Sequence, residues 1–208
     1  YVLPPAISDI VDLDENSDQM KRYAYIYRYD YRNRCIAKRL PGCGWTYYAY
    51  DKADRLVYSQ DSIQRRRKEC TFCLNDNSGR EVVTGICTVD DSLSAFLPDI
   101  SQYEVKAIYK GGDHDGDMGT GYIFQHLYGV SKLQILSVNY YDSYNFPQSY
   151  IQLNELDYDV NEYGKRYGDA SDSLRYCHKG LLTGSVTAIL GTDKCLYKTL
   201  YYDKYQRC

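Results

Sequence analysis

The sequence predicts a mainly β fold, in which antiparallel hairpin repeats form a twisted sheet or a partial β-shell with little helix. A phrase of Tyr-Asp with an Arg four residues after the Asp recurs at Tyr29-Asp30…Arg34, Tyr50-Asp51…Arg55 and Tyr202-Asp203…Arg207, and Asn75-Asp76…Arg80 is a variant copy. Tyr23, Tyr25, Tyr27, Tyr29 and Tyr31 alternate without a miss, the period of two that puts one side-chain set on one face of a strand. Tyrosine is counted at 26 against Phe 4 and Trp 1. Its apolar body and partner-seeking hydroxyl suit half-wet sheet faces better than a large dry core.

Each phrase reads as a turn. The residue before Arg is Asn33, Asp54, Gly79 or Gln206, and the first three are types that tolerate positive φ. A hairpin loop with a left-handed residue and a G1 bulge needs such a residue there, so Gln206 fits least well. The Asp is expected to accept a bond from the backbone N–H two residues on, while Arg opens the returning strand within reach of the carboxylate. The repeat-structural residues are therefore Tyr29, Asp30, Arg34, Tyr50, Asp51, Arg55, Asp76, Gly79, Arg80, Tyr202, Asp203 and Arg207. One such unit cannot bury its own apolar face, so function belongs to the assembled surface.

In chain order, residues 1–22 form a lead-in whose acidic stretch from Val11 to Gln19 reads as loop or a short helix. Residues 23–87 hold the hairpins, with strands expected near 22–30, 34–39, 45–51, 55–60, 69–75 and 80–87. The tyrosine face of the first strand is expected to pack against its neighbours. Arg65-Arg-Arg-Lys68 falls between two strand patterns and reads as a solvated connecting loop. Residues 88–178 are an insertion with strands near 103–109 and 133–141, and its best helical candidate is Asp169 to His178, capped by Ser171. Residues 179–208 return to the repeat, with strands near 185–190 and 195–202. They stop just after Arg207, which predicts an unfinished hairpin and a strand edge open to self-association.

The 208 residues suit one domain or a piece of a larger protein, and an opening Tyr1 suggests a mature or excised segment. A net charge of −3 gives no electrostatic case for nucleic acid. No apolar run approaches the roughly 20 residues that span a bilayer.

Chemical candidates are thin. Aligned on the repeats, Cys73 and Cys35 stand where other copies have Tyr or Leu. Buried free thiols are therefore expected ahead of metal or redox roles. Cys70-Thr-Phe-Cys73 places its thiols on opposite faces of a strand and has no second pair to complete a zinc set. In Gly111–Gly121, Asp113, Asp115 and Asp117 match the start of a calcium loop, but Met118 and Phe124 stand where Gly and Glu are needed. A solvated hairpin tip is the expected reading, with no metal and no cofactor. His114, His126 and His178 are the only histidines, and adjacent Cys177 and His178 would point to opposite faces of a strand. No assembled nucleophile, base and oxyanion site is apparent, so no enzyme is expected.

The stretches Tyr27 to Arg34, Leu40-Pro41-Gly42, Tyr48 to Val57, Gln60-Asp61 and Gly79 to Gly85 closely resemble YD-repeat, or Rhs-repeat, proteins of bacteria, in the style of the long cell-envelope members from Bacteroides-like organisms. The resemblance covers 23–87 and 179–207, and Val138 to Phe146 is a further phrase with Phe146 at the Arg position. It implies a β-sheet wound into a shell, which in toxin-associated members encloses a C-terminal effector. The self-cleavage motif of those members contains Asp-Pro, a dipeptide absent here. The function expected is a non-enzymatic structural segment of a large secreted or surface-attached repeat protein. Its partners would be the remaining repeats or the C-terminal domain of the parent. The alternative is a carbohydrate- or cell-surface-binding module that stacks glycans on the tyrosine face.

Overall fold

Alternation of apolar and polar residues lays down the strands. In β5 (Glu69–Asn75) Cys70, Phe72 and Leu74 are buried between half-exposed neighbours. In β6 (Glu81–Val89) Val83, Gly85, Cys87 and Val89 follow the same period. The computed structural model of the chain describes residues 1–8, 14–89, 100–112, 114–150, 152–153, 162, 179–203 and 205–208. Among these the other strands are β1 (Ile26–Tyr29), β2 (Cys35–Arg39), β3 (Trp45–Tyr50), β4 (Leu56–Gln60), β7 (Lys106–Tyr109), β8 (Tyr122–Gln125), β9 (Val130–Tyr141), β10 (Leu182–Ala188) and β11 (Cys195–Thr199). They form an 11-stranded sheet in the order β1-β2-β3-β4-β5-β6-β9-β10-β11, with β7 beside β5 and β8. Pairing is antiparallel apart from a parallel contact of β5 with β7 at Asn75 and Lys106. The fold is mainly β, as the sequence predicts.

The chain divides into two compact units. The first comprises Tyr1–Phe72, Ile86–Val105 and His126–Leu133, and the second Cys73–Gly85, Lys106–Gln125 and Gln134–Cys208. In the first unit, α1 (Pro5–Ser8) and α2 (Asp18–Tyr23) set Ile7 and Met20 against Ala24 and Ile26, with Trp45 packed on that cluster. Ser17 caps α2 by accepting the Met20 N–H at 3.2 Å, and the helix ends where Ala24 turns extended.

Three expectations fail here. The strand expected from residue 22 begins at Ile26, because Tyr23 closes α2 and Tyr25 only bridges Val2. The tyrosine face is also the wet one: Tyr23, Tyr25, Tyr27, Tyr29 and Tyr31 are 36–87 % exposed, whereas Ala24 and Ile26 are buried. The small aliphatic set seals without stranding a polar atom, while each tyrosine hydroxyl keeps its water. Residues 65–68 are not a loop either. They fall in and just beyond α3 (Ser62–Arg67), opened by a capping box in which Asp61 Oδ1 accepts from Ile63 N (2.7 Å) and Gln64 N (2.8 Å) and Gln64 Oε1 accepts from Asp61 N (3.0 Å). Lys68 ends it at φ 55°, and the Arg65–Arg67 charges suit the helix C-terminus.

The second unit packs Tyr122, Val138, Tyr140, Phe146, Leu153 and Val186. Tyr140 is its hub, with the rings of Tyr109, Tyr122 and Phe146 at 5.8, 5.8 and 5.4 Å. A Cβ on Gly184 would lie 2.6 Å from the Phe146 ring, so glycine is what lets β10 approach it. Strand β8 was not expected. The expected helix at 169–178, including Cys177 and His178, lies outside the described residues, as do Asp113 and 11–13 of the acidic lead-in. Among the described residues no helix is long and apolar enough to cross a membrane.

Candidate functional site

The phrases at Asp30, Asp51, Asp76 and Asp203 close by the same bonds. Each Asp N–H donates to the carbonyl of its Arg (2.9–3.0 Å), and the residue before Arg donates back to the Asp carbonyl (3.0–3.1 Å). That residue is left-handed in every case: Asn33 φ 60°, Asp54 61°, Gly79 78° and even Gln206 63°. Asp Oδ1 accepts the N–H two residues on (2.8–2.9 Å) and the Arg N–H (2.9–3.0 Å), while Oδ2 accepts Arg Nε (2.7–3.0 Å). In Asp30 and Asp203 these donors favour the charged form. Burial pushes Asp30 up, but the Arg34 and Arg32 donors outweigh it and hold the carboxyl below the ordinary range. The Arg207 N–H does most to lower Asp203.

The Tyr and Arg of the phrase work between turns. In the first unit, the Arg34 guanidinium lies 5.1 Å from the Tyr50 ring centre, and its Nη1 reaches Asp54 Oδ1 (2.8 Å) and Asp51 O (3.3 Å). Tyr50 answers by donating its hydroxyl to Cys35 O (3.0 Å), the carbonyl directly after Arg34. In the second unit, Arg80 lies 4.3 Å from the Tyr141 ring centre and gives Nη2 to Asp142 Oδ2 (2.7 Å). Tyr141 donates to Glu81 O (3.4 Å), the carbonyl directly after Arg80. Each of these arginines therefore closes its own turn and clasps the next phrase, whose tyrosine clasps back.

This grammar decodes the phrase at Tyr141-Asp142. Tyr29 pairs with Cys35 and Arg28 with Ala37 across a bulge; Tyr50 pairs with Leu56 and Ala49 with Tyr58 likewise. Tyr141 pairs with Leu182 and Tyr140 with Gly184, the same step. Gly180, at φ 82°, thus holds the left-handed place, and Leu181, whose carbonyl takes the Asp142 N–H at 3.3 Å, holds the Arg place. Phe146, assigned to that place from the sequence, is instead a buried core residue. Residues 143–179 are an insertion inside one turn. Asp142 Oδ1 takes the Gly180 N–H (2.5 Å), and the missing arginine is supplied by Arg80. Burial raises the Asp142 carboxyl, yet Arg80 and Gly180 together hold it below its ordinary range. Tyr202 completes the series, donating to Leu182 O at 2.6 Å, the carbonyl just after the Arg place.

Asp51 is the most enclosed of these carboxylates, with no exposed side-chain surface. Residues 103–105 seal it: Val105 N donates to Asp51 Oδ2 (3.2 Å), Arg55 Nη2 to Val105 O (3.3 Å) and Lys52 N to Tyr103 O (3.0 Å).

The remaining candidates are dispersed. Asp115 Oδ1 accepts the Ser149 hydroxyl (2.5 Å) and Asp117 Oδ2 the Phe124 N–H (2.6 Å). These two carboxylates, with Lys110 and His114, line an open cleft of about 460 Å³. Among the described residues no group of three or more His, Cys, Asp or Glu is arranged to hold a metal ion. His126 stacks on Tyr103 at 5.1 Å and shares a hydrogen bond with the Tyr128 hydroxyl (3.0 Å). Burial pushes the Cys73 thiol up to about 12, and its S–H donates a hydrogen bond to Glu81 Oε2 at 3.2 Å. No protein-family model matches the chain, and no curated protein matches it in sequence.

Proposed function

We propose that this chain is a non-enzymatic structural segment of a large secreted or surface-attached protein of YD/Rhs-repeat type, contributing hairpins to a β-scaffold. The observation that carries this reading is the reciprocal Tyr–Arg clasp between successive phrases. The residues that define the motif are occupied in closing turns and joining them, which is the chemistry of assembly. Serum raised against the chain tests it on fractionated cells of the source. The expected antigen is a polypeptide far larger than 24.2 kDa in the envelope or medium. A free cytosolic species of that small mass would overturn the reading.

A second reading rests on the exposed tyrosine stripe of Tyr23, Tyr25, Tyr27, Tyr29 and Tyr31. Exposed aromatic rings stack on sugar faces, and their hydroxyls bond sugar oxygens. Binding on a glycan array that is lost when Tyr27 and Tyr29 become serine would favour a carbohydrate-binding module; silence across surface polysaccharides would count against it.

A further inference from the structure

Cys70 on β5 and Cys87 on β6 meet inside the first unit, with their sulfurs 3.1 Å apart. Both are fully buried. The hairpin register aims them at each other: Val89 N donates to Lys68 O at 2.8 Å, and Cys70 and Cys87 lie two residues inward from that pair on their strands. Residues two apart share a face, so both thiols point into the same interior. Among the other described thiols, Cys35 engages Ala37 O (3.5 Å) and Cys73 engages Glu81 Oε2 (3.2 Å), Cys195 is half-buried, and Cys43 and Cys208 are exposed.

Directly opposed residues on antiparallel strands have Cα atoms about 5.5 Å apart or closer, inside the range a disulfide spans. The sulfurs need approach by only about 1 Å to reach a bond of ~2.05 Å. Side-chain rotation supplies a movement of that size. A metal or catalytic role fits poorly, because each needs the thiolate and this interior disfavours it. The hydrogen bond with Cys70, followed by burial, pushes the Cys87 thiol upward.

We propose that Cys70 and Cys87 are a covalent modification site, forming an intrachain cross-strand disulfide as the β5–β6 hairpin is buried. The oxidant is an external disulfide, either oxidised glutathione or the active-site bond of a thiol–disulfide oxidoreductase. One deprotonated thiol attacks a sulfur of that disulfide, forming a mixed disulfide and releasing the first external thiolate. The partner thiolate then attacks the protein sulfur, closing Cys70–Cys87 and releasing the second. Two protein thiols are oxidised, one external disulfide is reduced, and the two protons pass to the released thiolates. Because the thiols are inaccessible in the folded unit, exchange occurs before the interior closes, and the finished bond is shielded from reductants.

The test refolds the full chain with a series of reduced-to-oxidised glutathione ratios. Free thiols are then blocked with iodoacetamide in denaturant, and tryptic peptides are weighed. Cleavage after Lys68, Arg80 and Lys106 puts Cys70 in peptide 69–80 and Cys87 in 81–106. The expected product is these peptides joined, two hydrogens lighter than their sum, and still joined in Cys73→Ser, which leaves Cys70 as the only thiol of the first peptide. The oxidised protein is expected to melt roughly 5–10 °C above the reduced one. Recovery of both cysteines fully alkylated at every ratio, from chain that had refolded before the denaturing block, would overturn the proposal, as would linkage of Cys87 to Cys73 alone.

Discussion

Asp51 and Asp203 make the same turn bonds but differ in burial, and burial sets what each contributes. Asp51 has no exposed side-chain surface, whereas the side chain of Arg207, the partner of Asp203, is 73 % exposed. Truncating Asp51 leaves the buried Val105 N–H unsatisfied and takes the carboxylate from the largely covered Arg55, so Asp51→Ala is expected to cost about 2–4 kcal/mol in urea unfolding. Asp203→Ala leaves solvated groups and should move the midpoint far less. Equal losses would show that local turn geometry, and not enclosure, determines the contribution. Tyr50 divides its work between ring and hydroxyl. Tyr50→Phe keeps the surface under Arg34 and loses the bond to Cys35 O, an expected loss of about 1 kcal/mol, while Tyr50→Leu loses both and should cost more.

Among the elements, two glycines make opposite demands. Gly79 has open space around its Cβ position but sits at φ 78°, so Gly79→Ala meets only left-handed strain and should cost about 1 kcal/mol. Gly184 needs no unusual φ but faces the Phe146 ring at 2.6 Å, so Gly184→Ala must displace a core ring and should cost about 1–3 kcal/mol by the same urea assay. The strands were largely legible because alternation survives in them, as in β5. Strand β8 has four residues beside a glycine-rich loop and shows no period to read. Helix α3 is encoded by the capping box of Asp61 and Gln64, while the arginines that follow carry no apolar period to mark it. Alternation marked the tyrosine face but not its environment, which Ala24 and Ile26 decided by burying instead. The interrupted turn could not be read by spacing, since its halves at Asp142 and Gly180 are separated by the insertion; only the pairing of Tyr141 with Leu182 reveals it.

For the whole chain, the capped carboxylates predict an acid-sensitive fold. Asp30, Asp142 and Asp203 all ionise below the ordinary carboxylate value, so protonation favours the unfolded chain. Their stabilisation is complete above the unfolded value of about 3.9 and is lost as pH falls through the lower folded values. Melting temperature followed by circular dichroism should therefore hold from pH 7 to about 5 and fall below about 4. Asp142→Asn should lie below the native chain at pH 7 and converge with it in acid. The turn mechanism was legible in the phrase itself: Asp, left-handed residue and Arg each announce a role within four residues. The clasp between turns was not, because it joins residues as far apart as Arg80 and Asp142 that only folding brings together. That clasp is the central claim, and a double-mutant cycle on the full chain tests it most directly. Urea unfolding of Arg80→Leu, Asp142→Asn and the double variant should give a coupling of about 1 kcal/mol or more. A coupling indistinguishable from zero would contradict the account, leaving the turns as neighbours that do not hold one another.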